Sequence, residues 1–332
     1  IAVAYLTPTK AHQMNKTLIA AAVLSTLGSA ALAQSTVQVY GRANVTIERQ
    51  KAGNADNDWV MQNNSSRIGF KGTEDLGGGL KAGFQLEHGF NINNGTQSQS
   101  AFWARQSEVN LSGGFGMVRL GNFTSESYYA TADYVSMHNH DTGTSADRLY
   151  AYLGRDTSKV AYRTPSFGGA TVEGAVTEGG TGERTYDLAA NYDIGSLHLG
   201  AGFQKANPTD KNASQFAVRA LYELGAFTIG GYVQRDKDGY GDGLGKRTTY
   251  RLAGMYALGN AEFHLNYGRA GDYDNVSSSS ASQATVGVNY NLSKRTKVYS
   301  FFTKLSGDGA DFYAANSTGV NQSLAVGVRH NF

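Results

Sequence analysis

The feature that most constrains this 332-residue chain is an alternation of apolar and polar residues that recurs from residue 34 to the C-terminus. In its first segment Val37, Val39 and Ile47 have one parity, whereas Gln38 and Asn44 have the other. Successive side chains of a β-strand point to opposite faces, so a period of two predicts strands with one apolar and one polar face. Sixteen such segments are present, starting near residues 36, 65, 80, 101, 117, 155, 170, 185, 197, 215, 227, 247, 262, 283, 296 and 323.

The connections between these segments alternate in length. Short turns such as Gly77-Gly78-Gly79 alternate with long polar stretches such as 51–64, 124–154 and 306–322. An even strand number with short turns on one side and long loops on the other is typical of bacterial outer-membrane barrels. The sequence therefore predicts an all-β fold, a 16-stranded antiparallel transmembrane β-barrel closed by pairing residues 34–48 with residues 323–332. A soluble sandwich or propeller is the alternative, but it would show no such asymmetry of its connections.

Composition agrees with a barrel and excludes several other classes. Only 3 prolines occur, which suits long ladders because proline has no N–H to donate. The mean hydropathy of −0.37 excludes a bundle of membrane-spanning helices. The chain has no cysteine, which excludes disulfides, zinc–thiolate sites, iron–sulfur clusters and cysteine nucleophiles. No cofactor is expected.

The first 33 residues predict export across the inner membrane. A basic start at Met14 and Lys16 precedes an apolar run over residues 18–27 and the small-residue ending Ala31-Leu32-Ala33, the pattern of a cleaved signal peptide. A transmembrane anchor is the alternative, but the apolar run is too short to span a bilayer. We therefore expect an upstream extension without an assigned role (residues 1–13), a signal peptide (14–33) and the barrel (34–332). The barrel region has 27 basic and 27 acidic residues, which argues against nucleic-acid binding.

Three stretches resemble the general porins of β-proteobacteria, a family of Gram-negative outer-membrane proteins. Residues 65–80 (SSRIGFKGTEDLGGGL) look like their second strand and turn, residues 287–296 (GVNYNLSKRT) resemble a late turn, and residues 326–332 (VGVRHNF) resemble the closing strand. With residues 102–121 and 155–169, the resemblance covers essentially the whole of residues 34–332. It implies a homotrimer in the outer membrane, each subunit with its own water-filled pore for passive diffusion of ions and small hydrophilic solutes, in contact with outer-membrane lipid and lipopolysaccharide. It implies no enzymatic activity.

The resemblance also implies that the third long loop, residues 124–154, folds inward and narrows the pore opposite arginines on the wall. Parity supports wall positions for Arg42, Arg67 and Arg105, and Arg155 matches the start of the family's sixth strand. The loop's own acidic candidates are Glu126, Asp133, Asp141 and Asp147.

Guanidinium groups stay charged at every relevant pH, and a narrow pore focuses their field on passing ions. Because the acids fall largely in loops and turns, the arginines predict a weakly anion-selective channel with small anions among its solutes. The alternative is that they only bind loop carbonyls or pair with acids.

Other constellations leave further hypotheses. His138-x-His140-Asp141 could be a metal site, and residues 236–243 loosely resemble a calcium loop without its terminal glutamate. Phe332 resembles the signal read by the outer-membrane assembly machinery. Parity from Arg105 predicts that Gln106, Glu108 and Asn110 face outward, in a subunit interface. A barrel hydrolase and a plugged adhesin are rival functions, but the few histidines are scattered and the basic wall favours a conducting pore.

Overall fold

The structure, a computed structural model, describes residues 36–133, 135, 143–154, 156–178, 184–207 and 212–332. The regions predicted as an extension and a signal peptide lie outside these residues. So do two of the predicted pore residues, Arg155 and Asp141, and the two histidines of the hypothetical metal site.

In the described part of the chain, seventeen β-strands form one antiparallel sheet: β1 (Thr36–Lys51), β2 (Asp58–Asn63), β3 (Arg67–Gly77), β4 (Leu80–Gly89), β5 (Gln106–Gly113), β6 (Gly116–Asn122), β7 (Lys159–Arg163), β8 (Ala170–Glu178), β9 (Arg184–Ile194), β10 (Leu197–Asn207), β11 (Ser214–Leu224), β12 (Phe227–Lys237), β13 (Lys246–Leu258), β14 (Ala261–Ala270), β15 (Ala281–Asn291), β16 (Thr296–Ser306) and β17 (Gln322–Asn331). From β3 to β17, each strand pairs with the next strand in the chain.

The sheet closes on itself, which confirms the predicted barrel. β17 pairs with β1 from Arg42↔Asn331 to Lys51↔Gln322. β3 pairs with the first half of β1 (residues 36–42) and β2 pairs with its second half (residues 45–50). Together β2 and β3 therefore occupy one strand position in the wall. The barrel therefore has sixteen antiparallel strand positions.

Short helical segments interrupt two of the loops. The third loop contains α1 (Glu126–Tyr128), a π-helical turn (Tyr129–Asp133) and a 3-10 turn (Gly143–Ser145), and the last loop contains α2 (Ala310–Ala315). None of the helices among the described residues is long and apolar enough to cross a membrane.

Most predicted strand starts lie within two residues of the observed ones; two do not, and one observed strand was not predicted. The polar stretch 51–64, predicted as a loop, contains β2, and the strands expected from residues 101 and 155 begin at Gln106 and Lys159. β2 ends where Ser65 takes a left-handed backbone conformation with φ of 57°, which breaks the wall strand in two. The sequence around Asn63 and Ser65 therefore resembles a loop although both flanking segments are strands.

The wall has an apolar outside and a polar inside, the reverse of a soluble protein. Val37 and Leu252 are exposed to 67% and 66%, whereas Asn44, Gln204 and Thr285 are buried inside the barrel. The predicted outward position of Glu108 is wrong: it is buried and forms an ion pair with Arg119, while Val109 and Leu111 face outward. The error arose because Arg105 precedes the regular pleat of β5, so parity counted from it enters the strand one residue out of phase.

The C-terminus completes the seam. The Gly41 N–H donates to the Phe332 carbonyl over 3.0 Å, and the Phe332 N–H donates to the Gly41 carbonyl over 3.1 Å. The Phe332 ring lies directly over Gly41, where any Cβ would overlap it. Glycine at this position therefore makes room for the terminal ring.

Replacing Gly41 by valine should destabilise the barrel by about 1–3 kcal/mol, because the added side chain overlaps a packed ring. The measurement is the thermal unfolding midpoint in detergent, followed by circular dichroism. Gly174→Val is the matched control, since a Cβ there meets nothing within 4 Å. Gly41→Val keeps the terminal sequence intact. Full stability and yield in this variant, with loss on deletion of Phe332, would indicate that the ring acts only as an assembly signal.

Candidate pore constriction

The third loop lies against the inner wall, where glutamine side chains bind its backbone. Gln234 accepts from the Ala151 N–H over 2.8 Å and donates to the Ala151 carbonyl over 2.9 Å. Gln204 accepts from the Leu153 N–H over 3.0 Å. Gln283 accepts from the N–H of residue 148 over 3.1 Å and donates to the carbonyl of residue 146 over 2.8 Å. A carboxamide offers the same donor and acceptor as a peptide group, so these side chains pair with the loop as a neighbouring strand would.

These glutamines belong to a row across adjacent strands. Gln215 donates to Gln204 over 3.3 Å, and Gln234 donates to Gln215 over 3.1 Å. All three, and Gln283, are fully buried. We call these four residues the glutamine row. Sequence reasoning did not single them out, although each has the inward parity of its strand and they recur at corresponding depths.

Asp147, predicted as a pore carboxylate, anchors the loop to the wall. Arg251 on β13 donates to both its oxygens, Nε to Oδ2 over 2.8 Å and Nη2 to Oδ1 over 2.7 Å, and the Tyr232 hydroxyl also donates to it. Burial by itself would raise the pKa of the Asp147 carboxyl, but the Arg251 charge and these hydrogen bonds hold the pKa below its ordinary value. Its negative charge is therefore neutralised at the wall.

A second acidic anchor is a carboxylate on the wall, which holds the loop segment that begins at residue 143. Glu48 on β1 accepts from the Thr144 hydroxyl over 2.7 Å and from the Ser323 hydroxyl over 2.7 Å. Arg148 donates to the Val320 carbonyl in the last loop. The loop is thus attached to the wall from β10 round to β1.

Glu126 and Asp133 lie on the side of the loop towards β7 to β10. Glu126 forms an ion pair with Arg163 on β7 and accepts from Asn191 over 3.2 Å. Burial raises the pKa of the Glu126 carboxyl above its ordinary value, and the Arg163 charge only partly opposes this effect. Asp133 is buried at the end of the π-helical turn. Arg163 and Arg119 also share Glu173, at 2.8 and 3.4 Å.

Arg67 and Arg105 converge on one acid. The Arg105 Nε lies 2.6 Å from Glu87 Oε1, and the Arg67 Nε lies 3.7 Å from the same atom. Arg42 pairs directly with Arg67 across the β1–β3 ladder, and its Nε donates to Asn331 over 3.1 Å. The structure thus brings together the three predicted wall arginines that it describes. It also shows that Arg67 and Arg105 share the Glu87 carboxylate. This is the arrangement expected under the alternative that the arginines pair with acids.

Two further cations extend this cluster and were missed in the sequence. Lys297 on β16 is directly opposite Arg329 on β17, and Arg329 is diagonal to Arg42 across the seam. Glu262 lies 3.6 Å from the Lys297 ammonium. We call the five inward-facing cations the basic arc: Lys297, Arg329, Arg42, Arg67 and Arg105. The arc has five positive charges, and the two carboxylates beside it, Glu87 and Glu262, offset only part of them. The potential at the arc therefore stays positive.

The lumen beneath the third loop contains a cavity of about 850 Å³. Arg42, Lys297 and Arg329 line it from the basic arc, and Glu126, Arg163 and Arg219 line it from the opposite side. In the described part of the chain, no group of three or more His, Asp or Glu side chains could hold a metal ion. In the segment that resembles a calcium loop, Asp236 is bound instead by Arg247 and Tyr273.

A closed barrel with an apolar exterior, a polar lumen and a loop attached to its inner wall defines a transmembrane channel. The chain matches the Gram-negative porin family model over residues 20–310, and it belongs to this family. It is 31% identical to outer membrane porin protein 32 of Delftia acidovorans, covering 96% of this chain and 100% of that one. It is 28% identical to major outer membrane protein P.IB of Neisseria meningitidis serogroup B, with the same coverages. The solved anion-selective porin from Comamonas acidovorans superposes with a TM-score of 0.74 at 27% identity, covering 90% of this chain and 100% of that one. The relatives place the protein in the outer membrane.

Replacing Gln204 and Gln234 together by leucine should loosen the third loop, because buried peptide groups at Leu153 and Ala151 lose their partners. Each unpaired buried group costs about 1–3 kcal/mol. We expect larger open-channel current fluctuations and a changed conductance in planar bilayers.

Gln85→Leu is the matched control for this variant. Its side chain lies on the part of the wall away from the loop and donates to the Tyr40 hydroxyl over 2.7 Å. A double variant with the wild-type current trace would show that the ion-pair anchors hold the loop without the glutamine row.

Proposed function

We propose that the protein is a general diffusion porin, a passive water-filled channel for ions and small hydrophilic solutes, with a weak preference for anions. The basic arc is the observation that carries this proposal. Three of its members line the cavity in the lumen, while Asp147 and Glu126 on the third loop are paired with wall arginines. Anions passing the constriction therefore meet cations that are only partly neutralised. The similarity to a porin described as anion-selective supports the same conclusion.

The preference is weak because carboxylates share the wall with the arginines. The expectation that acids lie largely in loops and turns was incomplete, since Glu87, Glu108 and Glu173 all point inward from strands. Two unit charges about 4 Å apart interact by about 4 kcal/mol at an effective dielectric near 20, so one shared carboxylate removes much of the field of two arginines. The net bias comes from the remaining members of the arc, and added salt should screen it.

We also propose that the protein assembles as a homotrimer. The outward faces of β2 and β3 carry Trp59, Met61, Ile68 and Phe70, and Trp59, at the end of β2 that follows a long loop, is 69% exposed. A large apolar face at the level of the aqueous boundary is typical of a surface covered by another protein. This argument replaces the one built on Glu108. A native mass equal to one subunit for the purified protein would contradict it.

The remaining expectations are proposals as well. Residues 14–33 act as a signal peptide that is removed before Gln34, which N-terminal sequencing of the membrane-inserted protein would check. Residues 34–332 form the barrel region. No catalytic role is proposed, because the relatives are porins. Contact with outer-membrane lipid and lipopolysaccharide follows from the location.

Replacing Arg67 and Arg105 together by serine should shift the reversal potential in a salt gradient towards cation preference. The substitution removes two cations and leaves the Glu87 charge without them. Single-channel recording in planar bilayers gives this potential, and we expect a several-fold change in the permeability ratio.

Two companion variants sharpen this experiment. Glu87→Gln should shift the reversal potential the opposite way, towards anions, because both arginines lose their shared carboxylate. Arg269→Ser removes an exposed cation from the outer surface of β14 and should leave the potential unchanged. If the double serine variant keeps the wild-type potential, the basic arc does not set selectivity.

Anion preference should rise as the pH falls. The pKa of Glu126 is raised by burial, so on acidification this carboxylate is neutralised before an ordinary glutamate, while the arginines stay charged. The constriction then becomes more positive. Reversal potentials recorded at decreasing pH measure the effect, and in Glu126→Gln the part of the shift that comes from this residue should vanish. A pH-independent potential in the wild type would contradict the assignment.

A further inference from the structure

The lipid-facing surface carries a ring of basic residues at one end. Eight cations occupy outward-facing positions near the strand ends that lead to the long loops. We call them the cationic belt: Arg49, Lys51, Lys205, Arg235, Lys237, Lys246, Arg269 and Lys304. Each has the parity of the outward-facing apolar residues on its own strand, as Lys205 has that of Phe203 and Lys304 that of the half-buried Phe302. Arg184 is not counted, because its register partner is Glu178.

The belt has a single sign. Among the strand side chains that the structure describes, no aspartate or glutamate occupies an outward position at this end of the barrel. Asp238, in the loop after β12, lies 3.8 Å from the Lys237 ammonium. Lys237 and Lys246 are nevertheless directly opposite each other, an arrangement that is unfavourable for like charges. An anion between them would relieve this repulsion.

The register places lysines in two equivalent notches. In the first, Lys51 and Lys304 flank Gln322 on the strand between them. In the second, Lys205 and Lys237 flank Ser214. Adjacent strands are about 4.8 Å apart, so the two lysines of a notch start about 10 Å apart, and their flexible side chains can reach one group between them.

Each notch has apolar surface directly below it. Phe203 and Phe216 pair on the strands of the second notch, and Phe302 and Leu324 pair on those of the first. At the first notch, a cavity of about 360 Å³ is lined by Lys51, Lys304 and Gln322, and also by Asp311, whose carboxylate accepts from the Asn321 side chain. A ligand with an anionic head and an apolar tail would contact both surfaces, whereas free phosphate would contact only the lysines.

We propose that the two notches bind the phosphate groups of lipopolysaccharide in the outer leaflet. This inference rests on the proposed function, because it needs the barrel to lie in the outer membrane with its long loops outside. Each phosphate accepts from two ammonium groups and from the amide or hydroxyl between them. The fixed cations hold anionic headgroups against the barrel, and the apolar residues below contact the acyl chains.

The test uses the full chain as it is purified, folded in detergent, with a lipopolysaccharide of minimal sugar length as the probe. Variants Lys51→Gln/Lys304→Gln and Lys205→Gln/Lys237→Gln are compared with Lys294→Gln/Arg295→Gln, which removes two exposed cations from a short turn at the opposite end. Native mass spectrometry gives lipid retention as a function of lipid concentration. The same probe after enzymatic dephosphorylation, and competition by inorganic phosphate, identify the group that is recognised.

Each notch variant should bind the phosphorylated probe about tenfold more weakly, and the turn variant should bind it as the wild type does. The dephosphorylated probe should bind weakly and equally to all of them. Wild-type retention in both notch variants would overturn the proposal. So would displacement by inorganic phosphate at the concentration of the lipid, which would indicate a free-phosphate site. Single-channel conductance of the same variants should not change, and a barrel without conductance would instead contradict the proposed function.

Discussion

The requirement that no backbone group be left unpaired in hydrocarbon determines the rest of this structure. A peptide N–H or C=O facing lipid has no water to bind, so an open sheet edge is excluded and the sheet must close. Closure depends on the seam between β1 and β17, which ends in the two hydrogen bonds between Gly41 and Phe332. Because Gly41 has no side chain, the terminal ring can lie against the wall at the point where the ladder ends. The last residue of the chain thus takes part in the pairing on which every other strand relies.

Closure also creates a lumen whose wall is polar and in contact with water, and part of this lumen is filled by the third loop. The third loop occupies it by pairing its backbone with the glutamine row, so neutral amides do the work that a neighbouring strand does elsewhere. Two of the loop's acids are bound to wall arginines, Asp147 to Arg251 and Glu126 to Arg163. A positive lumen therefore does not require a loop without acids. It requires that those acids be paired with arginines of the wall, which leaves members of the basic arc to line the lumen.

The parity of apolar and polar residues predicted most of the fold and part of the site. The alternation follows from the chemistry of lipid and water on the two faces, so strand number, closure and the inward positions of Arg42 and Arg67 could be predicted from the sequence. Pairing across strands could not, because it depends on the stagger of the closed barrel. For this reason Glu87 was not recognised as the shared partner of Arg67 and Arg105, and Lys297 and Arg329 were not placed beside Arg42. Glu108 was placed on the wrong face because a parity rule fails wherever the pleat begins one residue later than assumed.

The same rule separates the two sets of cations on which the proposals depend. Arg42 and Arg49 lie on one strand, seven residues apart, and the odd spacing puts the first in the lumen and the second on the outer surface. Inside, cations lie beside carboxylates on the wall, and the surplus that remains is small, as a channel for many solutes requires. Outside, none of the eight cations of the belt has an acidic register partner, which suits attachment to anionic headgroups rather than passage of ions. The net charge near zero of residues 34–332 therefore does not predict the function of this molecule. The function depends on which face of the wall each charge occupies.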